Sequence, residues 1–248
     1  EFDMSGSPAV IRSVRNSVEI DNSIRALGGS DRLTDEELRS VVASGVSAQN
    51  RIVSKKDLIA RLYTMPSRFG RLYRAGVRSD PRNPNASIVS GICIDNQGRL
   101  QYPTDLFKNN IATYIDEFRI IGDAIEILDA PIVNLKINFE ITTEDVFNSQ
   151  NTVSNVIQKL KRYFKTEKMQ IDQPVNISEV EALIQLTEGV SSVNLLEIEN
   201  VAGLQNNLNY IGENFSISEN VNNKLLYPPL GGIFEVRFPN RDIKGSAL

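Results

Sequence analysis

The 248-residue sequence contains no histidine, no tryptophan and one cysteine, Cys93. Without histidine there are no Ser–His or Cys–His nucleophile pairs, no imidazole-ligated metal sites and no imidazole acid–base steps. A single cysteine excludes an internal disulfide. Cys93 lies in the apolar run Ser87–Asp95, where a buried, inert thiol is expected rather than a nucleophile. No G-x-G-x-x-G follows a strand-like run, and no phosphate loop ending in Gly-Lys-Ser/Thr occurs. No apolar run approaches the length of a membrane span, and the start carries no signal-peptide pattern. The net charge of −4 argues against wholesale nucleic-acid binding and leaves only a local basic patch open. A hydrophobic content of 41% with 23% charged residues is ordinary for a soluble globular protein.

What is present is clearest at Ile132–Thr142. Val133, Leu135, Ile137, Phe139 and Ile141 alternate with Asn134, Lys136, Asn138, Glu140 and Thr142. Side chains alternate faces along a strand, so this spacing predicts a β-strand with one apolar face. Pro131 opens it, where a missing N–H costs little, and the apolar face calls for covering helices.

Residues 1–50 are weakly patterned. After the break at Gly28-Gly29-Ser30, Thr34 and Glu37 form a capping box for a short helix carrying Leu38, Val41 and Val42. Asp35 and Glu36 suit its first turn and lack the glycine turn and spacing of a metal loop. Residues 51–130 read as a small α+β domain in the order helix–strand–strand–helix–strand. Ser54 with Asp57 opens a helix carrying Leu58, Ile59 and Leu62, and Phe69–Val77 reads as a strand. An exposed Ser79–Asn85 loop follows, then a strand over Ser87–Asp95 with a turn at Asp95–Gly98. Thr104 caps a helix to about Phe118 with Phe107, Ile111, Tyr114 and Ile115 inward, and Ala124–Leu128 is a short strand.

Residues 131–248 read as a second α+β domain. A helix over Ser149–Lys165 turns Val153, Val156, Ile157, Leu160 and Phe164 to one side. Ser178 and Glu181 suggest another capping box before Val180, Leu183, Ile184 and Leu186; Gly189 stops that helix, and Val190–Ile198 is a strand. Leu58–Tyr73 and Ala182–Leu196 share a faint helix–turn–strand echo. The Asn-rich stretch 200–226 loses periodicity; an arm ordered against another subunit and a hairpin insertion are equally good readings. Pro228–Gly232 then turns the chain into a final strand, Ile233–Phe238, expected in the same sheet as Ile132–Thr142 and Val190–Ile198.

Candidate chemistry is sparse. Glu197 and Glu199 share one face of a strand and could hold a cation or act as acid and base; a solvent-facing edge explains them equally well. Asp116-Glu117 are adjacent on a helix. Lys159, Lys161, Arg162, Lys165 and Lys168 on or beside the helix 149–168 read as a solvated face, or as a docking patch for an acidic surface or nucleic acid. No residue is assigned as catalytic, cofactor-binding or metal-ligating.

An ordered set of short matches gives this α+β chain a likeness. Leu27-Gly28-Gly29-Ser30-Asp31 with Asp35-Glu36-Glu37-Leu38-Arg39 resembles the Gly-Gly-x-Asp…Asp-Glu-Glu-x-Arg stretch of the baseplate J-like family of contractile-tail phages. The capped helix Ser54–Leu62, the strand Phe69–Val77, the alternating strand Pro131–Ile141, the pair Tyr163-Phe164 and Gly189-Val190 follow in the family's order, over residues 27–198. Met65-Pro66-Ser67-Arg68 departs from it, replacing a Pro-Gly-Val-like turn. Within the family the chain is most similar to a C-terminal portion of the large baseplate wedge proteins of T-even-type phages. The resemblance implies a virion structural protein assembled in the host cytoplasm, without catalytic residues or cofactor. It implies a homodimer or ring joining neighbouring wedges, in contact with other baseplate wedge proteins and hinging during infection. Beside it stand a carboxylate-based hydrolase and a nucleic-acid binder using the basic helix.

Overall fold

A computed structural model describes residues 51–120, 123–144 and 148–248, without the side chains of residues 84 and 85. The expected helix after Thr34 lies outside them. The described residues form an α+β fold whose two larger sheets each centre on one long strand.

The first sheet grows from a capped helix, α1 (Lys55–Tyr63). The Ser54 hydroxyl accepts from the Asp57 N–H at 3.2 Å, and the Asp57 carboxylate accepts from the Ser54 N–H at 2.9 Å. Strand β1 (Arg74–Asp80) starts later than the sequence suggests, because Ser67–Phe69 forms a 3-10 turn and Gly70 takes a φ of +102°. The expected Ser79–Asn85 loop is instead a tight hairpin: Asp80 faces Asn83, the first residue of β2 (Asn83–Ile94). Strand β2 also pairs with the short β3 (Leu100–Gln101), which the sequence did not advertise. After α2 (Asp105–Asp116), β4 (Ala124–Asp129) joins β2 in parallel. Leu58, Leu62, Leu72, Val89, Ile111 and Ile115 form the core between these helices and this sheet.

The second sheet centres on β5 (Ile132–Thr143). Its apolar row packs with Val156 and Leu160 of α3 (Ser149–Tyr163) and Val180 and Ile184 of α4 (Ile177–Gln185). Helix α4 is capped by Asn176, whose carboxamide oxygen accepts from the Ser178 and Glu179 N–H groups. The expected Ser178–Glu181 box does not form; Glu181 pairs with Lys224 at 2.7 Å instead. Leu186, expected on the inner face, is exposed just beyond the helix end. Strand β7 (Val190–Asn200) lies antiparallel to β5 on one side. On the other side β12 (Ile233–Glu235) and β13 (Ile243–Ala247) run parallel to it, separated by the single turn of helix α5 (Pro239–Asp242). All three expected strands therefore share one sheet, but the last strand is β13, not Ile233–Phe238. A short, glycine-broken stretch, Ile243-Lys244-Gly245-Ser246-Ala247, carries too little alternation to announce itself. Gly245 faces Phe139, and a Cβ there would run into the Phe139 ring.

The Asn-rich stretch is not a structureless arm. β8 (Gly203–Gln205) and β9 (Leu208–Tyr210) form a hairpin turning at Asn206-Asn207, with φ +49° and +61°. β10 (Val221–Asn222) and β11 (Leu225–Leu226) form another, turning at Asn223-Lys224 with φ +51° and +60°. Positive φ at both central residues defines a type I′ turn, and Asn tolerates it better than most side chains. Strand β11 also pairs with β6 (Val175–Asn176), Leu226 is fully buried, and Phe215 packs on Phe234.

Candidate functional site

The segment Ile233–Phe238 brings the two sheets together. Parallel pairing sets Glu235 beside Asn134, and both are buried. One Glu235 oxygen accepts from the Leu100 N–H of β3 at 2.7 Å; the other meets the Arg237 guanidinium at 3.2 Å. Arg237 also donates to the carbonyls of Leu100 (2.9 Å) and Asn209 (3.0 Å). With its amide nitrogen facing Glu235, Asn134 donates to that carboxylate at 3.0 Å and accepts from the Gly212 N–H at 2.8 Å. Burial pushes the Glu235 carboxyl above the usual carboxylate range, against the pull of the Leu100 N–H and Arg237. The side chain is thus a junction tying β3, β5, β12 and the stretch after β9.

A second buried carboxylate lies close in sequence. Asp242 accepts from the Tyr210 hydroxyl at 2.6 Å and from the Phe238 N–H at 2.7 Å. Burial raises its pKa, while these two donors oppose the rise; the Tyr210 hydroxyl is pushed up by burial and by Asp242. Beside this network a cleft of about 360 Å³ opens, lined by Arg99, Thr166, Arg237, Phe238, Asn240 and Arg241 among others. Neither buried carboxylate faces the other as a proton-sharing pair; each is occupied by its own donors.

The residues singled out from the sequence are dispersed. Glu199 is paired with Lys136 at 2.7 Å and touched by Asn138 at 3.4 Å, and Lys136 holds its carboxyl below the usual range. Glu197 stands exposed opposite Asn138, two residues along the same strand from Glu199. Asp116 is exposed and bound to Arg119 at 2.6 Å. Cys93 is half-buried, its thiol pushed up to about 11 by burial and by Asp129, which keeps it protonated and weakly nucleophilic. Three lysines of the basic patch are turned to separate partners: Lys159 to the Leu186 carbonyl, Lys161 to Asn240 and Lys165 to Glu167. No cluster of three or more metal-ligating side chains occurs among the described residues.

The Glu235–Arg237 junction carries no motif in the sequence, because the partners that bury it, Leu100, Asn134 and Asn209, are remote along the chain. The sequence signal is the glutamate itself, set between Phe234 and Val236 in an apolar run.

No family model matches the chain, and no curated protein matches its sequence. The fold has a solved counterpart in the cryo-EM structure of the anti-feeding prophage (AFP) baseplate, 6-fold symmetrised. The two superpose with a TM-score of 0.51 at 12% identity, over 70% of this chain and 39% of that one. At that identity the likeness is one of fold, shared with a baseplate chain of which it spans well under half.

Proposed function

We propose that the chain is a structural subunit of a phage tail baseplate, carried in the virion. Its fold likeness to a chain of the anti-feeding prophage baseplate carries this reading. The finer reading follows from the baseplate J-like motifs: a C-terminal portion of a large wedge protein, built as two α+β domains over 51–130 and 131–248. In it the chain self-associates, meets other wedge proteins and joins neighbouring wedges into a ring that changes conformation during infection. A structural rather than catalytic role belongs to this reading, in which Glu199 is engaged by Lys136 and Asp116 by Arg119.

Sedimentation velocity across a wide concentration range tests self-association. The mass is expected to rise above that of one chain as concentration increases. A single-chain mass throughout would reject it. Antibody labelling of purified virions tests the location, with label expected at the distal end of the tail; label on heads, or none, would reject a baseplate role.

A further inference from the structure

Three guanidiniums line the cleft beside the polar junction, and they are not equivalent. Arg237 is consumed by Glu235 and by the Leu100 and Asn209 carbonyls. Arg99 lies 4.5 Å above the Phe238 ring and donates no side-chain hydrogen bond among the described residues. Arg241 is exposed and likewise has no hydrogen-bond acceptor among them. Lys161 reaches the rim, bonding Asn240 at 2.7 Å. The neighbouring carboxylates are occupied: Glu235 by Leu100 and Arg237, Asp95 by the N–H groups of Gln97 and Arg99, and Glu167 by Lys165. Two guanidiniums with open donors therefore border this concave space, while the neighbouring carboxylates Asp95 and Asp242 are held by backbone N–H groups and the Tyr210 hydroxyl rather than by either guanidinium. The planar fork of each suits bidentate pairing with a carboxylate.

We propose that this cleft is a receptor for an acidic peptide segment, whose carboxylates pair with Arg99 and Arg241. That the segment belongs to a neighbouring subunit rests on the assembly reading above. A nucleic acid fits less well. Backbone binding needs cations following successive phosphates, whereas Lys159, Lys161 and Lys165 are each tied to a group of the chain itself.

The test uses the full chain and a fluorescein-labelled Gly-Glu-Glu-Glu-Gly peptide, read by anisotropy at low salt. The chain and a Lys56→Gln control should bind it alike, and the all-glutamine peptide should not bind. Arg99→Gln/Arg241→Gln should weaken binding by about tenfold or more, as expected for lost charge-assisted hydrogen bonds, with an unchanged melting temperature. If the double variant folds poorly, Arg241→Gln alone, at an exposed position, should still weaken binding several-fold. Undiminished binding by the variants, or no binding by the unaltered chain, overturns the proposal. So does a single-stranded oligonucleotide of equal charge binding more tightly, or inorganic phosphate displacing the peptide where chloride of equal ionic strength does not. Sedimentation of the same samples keeps the two readings apart: self-association without peptide binding sinks the cleft and leaves the assembly role standing.

Discussion

Truncating Glu235 to alanine should be among the most damaging single changes available to this fold. Its side chain is 1% exposed and that of Arg237 9% exposed. Removing the carboxylate leaves the Leu100 N–H without the acceptor it holds at 2.7 Å and strands the guanidinium with two carbonyls and no counter-charge. An orphaned buried N–H costs about 1–3 kcal/mol, and breaking a buried pair from one side about 3–5 kcal/mol. These overlap because one group serves both, so the expected loss is about 3–5 kcal/mol, a large share of a typical 5–15 kcal/mol stability. Urea unfolding followed by circular dichroism measures it. Glu235→Gln keeps an acceptor for Leu100 and should cost less. Glu235→Ala/Arg237→Ala removes the stranded cation with its partner, and should cost about 1 kcal/mol or more less than the two single losses added together. Strictly additive losses, or a Glu235→Ala cost below about 1 kcal/mol, would refute the idea that the junction holds the sheets together.

Three further outcomes are expected. Phe139→Ala should cost about 3–5 kcal/mol by thermal unfolding through the cavity it leaves, with self-association measured by sedimentation unchanged; lost association at an unchanged melting temperature would mean that the apolar row is an interface. A carboxyl with a raised folded pKa favours the fold most below its unfolded value, so the Glu235 contribution should fall as pH rises from the ordinary carboxylate range through the raised value; pH-dependent melting of Glu235→Gln should show a flatter slope there, and an unchanged slope would contradict the shift. Asn207→Gly should leave stability level or slightly higher, whereas Asn207→Val should lose about 1–2 kcal/mol, because only the valine resists positive φ; equal stability of the two by urea titration would argue against the turn.

The elements with strong periodicity or a cap are legible: β5 and α3 follow from a pattern that fixes one face, and α2 and the Ser54–Asp57 box also from their capping residues. What escaped reading was set by partners remote in sequence. Strand β13 is glycine-interrupted because Phe139 fills the space its side chain would occupy, a reason visible only once β5 lies alongside. Asn176 capped α4 in place of Ser178 because Glu181, needed for the box, is drawn to Lys224 on the second Asn-turn hairpin. The asparagines of 200–226 hide two turns of one kind, Asn206-Asn207 and Asn223-Lys224; the asparagines tolerate positive φ but Lys224 gives no such cue, and the flanking strands are too short to show alternation. The charged cleft was out of reach, since Arg99 and Arg241 sit at the ends of different elements and meet only through Phe238.

The split strand beside β5 has a kinetic consequence. Ile137 meets Ile198 on one side and Ile243 on the other, so the central strand of this sheet must wait for much of the following chain before either edge is closed. Contacts so distant in sequence slow folding through the cost of closing long loops. During synthesis residues 137–141 would stand open along the edge that β13 later takes, and an open apolar strand edge is a template for pairing with another chain. Nascent chains should therefore be most prone to aggregate just before Ile243 emerges from the ribosome, and a chaperone that shields strand edges should act in that interval.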